Sequence, residues 1–141
     1  MILYLDTSAL VKRYFLEQHS DAIFLQWERA AEIVTSSVAY AETLAAIYRK
    51  KRETAIEEPT IQKILDAFRL DWKSFIRVEV TEELNELIER LAGNYPLRGF
   101  DAIHLASAVL TLERLPEDFL FACFDQRLAQ AAREEGLKIF P

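Results

Sequence analysis

The chain has 141 residues, a length that suits one domain with one core; 51% hydrophobic and 28% charged residues exclude a disordered chain. With 17 basic and 23 acidic residues the net charge is −6, which excludes the broadly basic surface usual in nucleic-acid binders but leaves room for a local acidic cluster that binds cations. A single cysteine, Cys123, excludes an internal disulfide, and no uncharged stretch approaches the roughly 20 apolar residues of a membrane helix.

In chain order, "ILYL" (2–5) reads as a buried strand of a parallel sheet covered on both faces. Asp6 interrupts this first apolar run at once, so no signal peptide is expected, and the chain reads as cytoplasmic. A helix is predicted over 8–15 and another over 20–31, with Ile23, Phe24 and Trp27 at helical spacing. "EIVTSS" (32–37) is a β-branched strand. It leads into a helix over 37–52 that carries Ala41, Leu44, Ala45 and Tyr48 and ends in "RKKR" (49–52), read as a solvated helix end. "EEPT" (57–60) reads as a helix–helix turn, followed by a helix over 60–72 and a strand over 75–80. Thr81 is the expected N-cap of a helix over 81–91, with acids in its first turn. The segment 100–112 is apolar round most of its circumference and should form a central helix. A second fully apolar strand, "FLFACF" (119–124), precedes a helix over 126–135 that ends at Gly136; "LKIF" (137–140) closes the chain as an edge strand. Strands alternating with helices predict an α/β fold with a mostly parallel central sheet, and residues 1–141 read as a single domain.

Ligands of an open parallel sheet bind outside the carboxyl ends of its strands. That rule singles out Asp6, after strand 2–5, and Asp125, after strand 119–124. Glu42 and Asp101 interrupt apolar surroundings near the starts of their helices and can project to the same edge. Four neighbouring carboxylates resist ionising together unless a hard cation such as Mg²⁺ or Mn²⁺ holds them. Such a cluster can hydrolyse a phosphodiester with activated water and no protein nucleophile. Taken singly, Asp6 and Asp125 also fit helix caps, Glu42 a pair with a neighbouring Lys or Arg, and Asp101 a favourable place on its helix dipole.

The motifs "YLDTSALVKRY", "SSVAYAETLAAI", "LRGFDAIHLASAV" and "FDQRLAQAAREEGLKI", in this order, resemble those of PIN-domain ribonucleases, most closely the toxins of VapBC-type toxin–antitoxin pairs. The resemblance implies a three-layer α/β/α sandwich and an Mg²⁺- or Mn²⁺-dependent endoribonuclease. It also implies that Asp6, Glu42, Asp101 and Asp125 are the four acids of a metal-binding catalytic pocket. Ser8 matches the hydroxyl position that supports a carboxylate or a metal-bound water, while Thr7 fits the same motif with a side chain free to cap the helix. Where many relatives have Thr or Ser two residues before the last acid, this chain has Cys123, a weaker donor that otherwise reads as a small core residue. The resemblance further implies a small VapB-like antitoxin whose C-terminal segment enters a groove around the early helices. The apolar content of residues 9–48 is compatible with that groove and with a homodimer.

Lys12, Arg13, Arg98 and Arg127 are candidate contacts to RNA phosphates. His104 shares a helical face with Asp101, as a structural residue or one that touches the site, and His19 reads as solvated in a polar turn. Tyr14, Phe15, Phe24 and Trp27 read mostly as core. Two alternatives stand beside the nuclease. A haloacid-dehalogenase-like phosphatase also has an Asp after its first strand, but needs a second Asp where Ser8 stands. A non-catalytic PIN-like binding module would often have lost acids, and here all four are present.

Overall fold

The computed structural model describes residues 1–115 and 118–141. Five strands, β1 (Ile2–Leu5), β2 (Glu32–Ser36), β3 (Ile76–Val78), β4 (Phe119–Ala122) and β5 (Ile139–Phe140), form one sheet in the order β3-β2-β1-β4-β5. Every pairing is parallel. The helices among the described residues are α1 (Thr7–Val11), α2 (Ser20–Arg29), α3 (Ala39–Thr54), α4 (Glu58–Ser74), α5 (Glu82–Asn94), α6 (Gly99–Arg114) and α7 (Gln126–Glu134).

Strand periodicity divides the interior into two cores. In β1, Ile2 and Tyr4 pack among residues of α5, α6 and α7, whereas Leu3 and Leu5 pack among residues of α1 to α4. In β4, Phe119 and Phe121 join the first set, and Leu120 and Ala122 the second. Both faces of the sheet are thereby covered, which gives the expected three-layer α/β/α arrangement and explains why the two central strands are apolar without alternation. The apolar 100–112 segment is indeed the central helix: α6 buries nine residues, from Ala102 to Thr111.

Several expected boundaries are corrected. The first helix ends at Val11, not at residue 15, because the next backbone bonds are mostly of the tighter i→i−3 kind, from Lys12 to Ala9, Arg13 to Leu10 and Tyr14 to Val11. "EEPT" is not a turn: Glu57 is the N-cap of α4 and Pro59 lies in its first turn, where a missing N–H costs nothing. The strand expected over 75–80 pairs only over Ile76–Val78, since its partner β2 stops at Ser36, opposite Val78. β4 leaves the ladder at Ala122, opposite the last residue of β1, so Cys123 and Phe124 lie beyond it. At the chain's end only Ile139–Phe140 pair, at the sheet edge as expected. Gly136 ends α7 at φ +85°, a conformation glycine adopts without strain.

The chain leaves β1 for β2 on one side, and β4 pairs on the other. The carboxyl ends of β1 and β4 therefore flank a topological switch point, where parallel sheets open a crevice.

Candidate functional site

Asp6 follows the last residue of β1, and its N–H donates to the carbonyl of Ala122 in β4 (3.2 Å). The side chain is buried, at 4% exposure. Its Oδ1 accepts the backbone N–H of Ala9 (2.9 Å) and the hydroxyl of Ser8 (2.7 Å). Asp6 is thus the N-cap of α1, the place it also fits in the sequence, and the Thr7 hydroxyl does not cap the helix. Ser8 instead orients the carboxylate and also accepts the N–H of Phe124 (3.1 Å), tying the end of β1 to the segment after β4. Burial raises the Asp6 pKa to about 6, against the pull of His104, Ser8 and Ala9, with the charge of Asp101 adding to the rise.

Asp125 caps α7 by accepting the Leu128 N–H (2.9 Å). Asp101 lies in the first turn of α6, half-buried; burial and then the charge of Asp125 raise its pKa. These mutual effects put Asp6, Asp101 and Asp125 within electrostatic reach of one another at one edge, and none forms a salt bridge with a described Lys or Arg.

Glu42 enters from the first turn of α3, not paired with Lys or Arg but held by two donors on Oε1: the Thr7 hydroxyl (2.7 Å) and His104 Nε2 (2.8 Å). Burial raises its pKa, but these bonds outweigh burial and keep it below the ordinary carboxylate range. His104 is 2% exposed, and its Nδ1 lies 2.9 Å from the Tyr4 hydroxyl. Since an anionic Glu42 can only accept, Nε2 carries the proton, Nδ1 accepts from Tyr4, and His104 joins a buried tyrosine in the first core to the acid. It is thus both structural and in touch with the site.

Among the described residues no group of three or more His, Cys, Asp or Glu side chains is arranged as these side chains stand to hold a metal ion. The carboxylate oxygens and the raised pKa values of Asp6 and Asp101 are nevertheless the donor chemistry that suits a hard divalent cation.

A groove of about 500 Å³ borders the edge, lined by Thr7, Ser8, Lys12, Glu17, Glu42 and Lys50 among others. Of the four acids only Glu42 faces it. Lys12 and Lys50 both donate to Glu17, at 3.2 and 2.9 Å. Arg49 lines the groove too, so part of the "RKKR" run is groove wall and not solvated helix end. Helical spacing carried the signal: residues 42, 45, 46, 49 and 50 lie on one face of α3. Of the other cations, Arg13 packs over the Phe24 and Trp27 rings and lines a different cavity, and Arg127 lines one beside Tyr95. Neither shares the groove; Arg98, at the N-cap of α6, lies close enough to Asp101 to lower its pKa. Tyr14, Phe15 and Trp27 are partly buried against the second core. Cys123 is a core residue whose Sγ lies 3.8 Å from the backbone carbonyl of Asp125, not its carboxylate, and burial pushes the thiol pKa up.

The family profile described as PIN domain matches residues 3–134. The chain is 31% identical over 144 residues to Ribonuclease VapC45 of Mycobacterium tuberculosis, covering 99% of this chain and 95% of that one. It is 32% identical over 143 residues to Ribonuclease VapC35 of the same organism, with 98% and 95% covered. Among solved structures, VapBC2 from Rickettsia felis bound to a promoter DNA fragment superposes with a TM-score of 0.67 at 17% identity, covering 99% of this chain and 98% of that one. The M. tuberculosis VapC20 toxin, described as cleaving the sarcin-ricin loop, gives 0.63 at 16% identity, with 92% and 94% covered.

Proposed function

The chain belongs to the PIN-domain family, alongside the VapC ribonucleases, and on that footing we propose that it is a metal-dependent endoribonuclease acting as the toxin of a type II toxin–antitoxin pair. The observation that carries the reading is the meeting of Asp6 and Asp125, at the carboxyl ends of β1 and β4, with Asp101 from the first turn of α6 and Glu42 from α3, in a chain matched to the family almost throughout. Family membership removes the phosphatase alternative; the retained acids weigh against a non-catalytic module. We take residues 1–141 to form a single such domain.

Asp6, Glu42, Asp101 and Asp125 are the residues that would hold Mg²⁺ or Mn²⁺. When bound, the ion supplies charge neutralisation for a phosphate and acidifies water for attack. The chain's own part is positioning. Ser8 and Ala9 occupy Oδ1 of Asp6, so Oδ2 is the oxygen left without these bonds and would be the one to take a cation. Thr7 and His104 fix Glu42 in the same way through Oε1. Lys12 and Lys50 line the groove that adjoins Glu42 and offer ammonium groups to the phosphates of a strand lying in it.

The antitoxin belongs to the same proposal. Several structural neighbours are toxin–antitoxin assemblies, and exposed Leu16, Leu25 and Tyr48 supply apolar surface within residues 9–48 for an antitoxin tail or a second copy of the chain. The test is sequencing of RNA ends after induction of wild type and Asp101→Asn. New ends at defined sites in wild type alone support the reading; identical profiles overturn it.

A further inference from the structure

We propose that His19 and Phe124 form a stacking platform for one unpaired RNA base beside the acidic edge, a subsite that rests on the ribonuclease reading. The two rings lie nearly parallel, at 24°, with centroids 5.2 Å apart. His19 is an exposed residue, whereas Phe124 is partly buried against the second core. Phe124 immediately precedes Asp125, and its N–H donates to the same Ser8 hydroxyl that orients Asp6. The Lys12 ammonium sits 4.5 Å from the Phe124 ring centre and lines the groove with Thr7, Ser8 and Glu42. A stacked pair of rings with an exposed imidazole, an ammonium group and an acidic edge are therefore joined within a few residues. Single-stranded nucleic acid is recognised by this pairing of a stacking surface for the base with a cation for the backbone.

The backbone adds an independent reason. His19 has φ +73°, in the left-handed region that favours glycine. It stands at the N-cap of α2, yet its side chain makes no capping hydrogen bond. The turn needs the conformation but not the imidazole, so the helix start does not account for a ring held there under strain. Strained residues of this kind concentrate at ligand clamps.

The test compares wild type, His19→Gly and His19→Tyr on two substrates. One is an RNA oligonucleotide, intact or with a single abasic residue placed in turn near the cut; the other is bis(p-nitrophenyl) phosphate, a diester without bases. His19→Gly suits the positive φ, so its melting temperature stays close to wild type or rises. On intact RNA its kcat/KM falls roughly 5- to 100-fold, as expected when one base–aromatic stack is removed, while the simple diester is cleaved at the wild-type rate and His19→Tyr restores RNA cleavage. At one position the abasic residue costs wild type that same factor and costs His19→Gly nothing further. Unchanged RNA cleavage by His19→Gly, an equal loss on both substrates, or an abasic penalty that persists in full overturns the platform. A variant that loses only antitoxin binding assigns the pair to that partner and overturns it too. A wild type that cleaves neither substrate overturns the ribonuclease reading itself, and the platform with it.

Discussion

At the end of β1 the ionised form of Asp6 is buried, and burial raises its pKa from 3.8 to about 6. Because the folded value lies above the unfolded one, the folded state is favoured by the protonated acid below about pH 4 and loses that advantage as pH rises through about 6. A shift of this size corresponds to something on the order of 3 kcal/mol at pH 8. Asn at position 6 can accept the same two hydrogen bonds, from Ser8 and Ala9, without the charge. Asp6→Asn is therefore expected to abolish cleavage and to melt several degrees higher at pH 8, with the gain vanishing near pH 4. Thermal melts across pH check this, and an equal or negative shift at pH 8 would count against the burial account. Thr7 is the simplest probe of Glu42: Thr7→Val keeps the shape and removes one donor to Oε1. Its cleavage rate should fall about tenfold or more, the scale of losses when a ligand's supporting hydrogen bond is removed, with unfolding free energy within about 1 kcal/mol of wild type. At this scale the sequence made the four acids legible, since each follows a strand or opens a helix. It did not make legible how Thr7, Ser8 and His104 divide their work, because their partners lie up to 100 residues away in the chain.

α3 carries both an acid of the site and the cationic wall of the groove, because Glu42, Arg49 and Lys50 share one face. Replacing Arg49 and Lys50 by Ala together should weaken RNA binding and lower the slope of log affinity against log salt by about one for each phosphate left without its cation. Binding isotherms at several salt concentrations test this; an unchanged slope would remove α3 from the RNA path. At the other end of the sheet, Gly136 closes α7 at φ +85°, and an added Cβ there would meet nothing within 4 Å. Gly136→Ala is expected to cost about 1 kcal/mol through backbone strain alone, leaving activity per folded molecule unchanged. Chemical denaturation beside a specific-activity assay separates the two effects. Strand and helix identities were legible from apolar runs and helical spacing. Their ends were less so: β3 and β4 stop where partners stop, and Pro59 lies inside a first turn, not at a break.

For the whole molecule, the net charge of −6 and the acidic edge fit the proposed ribonuclease: on that proposal RNA meets a local groove and cations at the carboxylates, and no broadly basic surface is required. The alternation of apolar runs with helical patterns disclosed the parallel three-layer fold, because a sheet covered on both faces leaves its central strands uniformly apolar. Pairing across the sheet was hidden from the sequence, and with it the crevice between β1 and β4. If a divalent ion joins the acids, it must stabilise the folded state by mass action: at ten times Kd, about 1.4 kcal/mol, or a few degrees of melting temperature, absent in Asp101→Asn. The most direct measurement is cleavage of RNA by purified protein in Mg²⁺ or Mn²⁺, set against the same reaction in excess chelator and against Asp101→Asn. Cleavage by wild type with metal, and by neither control, is the predicted result; cleavage that survives the chelator or the substitution at the wild-type rate would contradict the account.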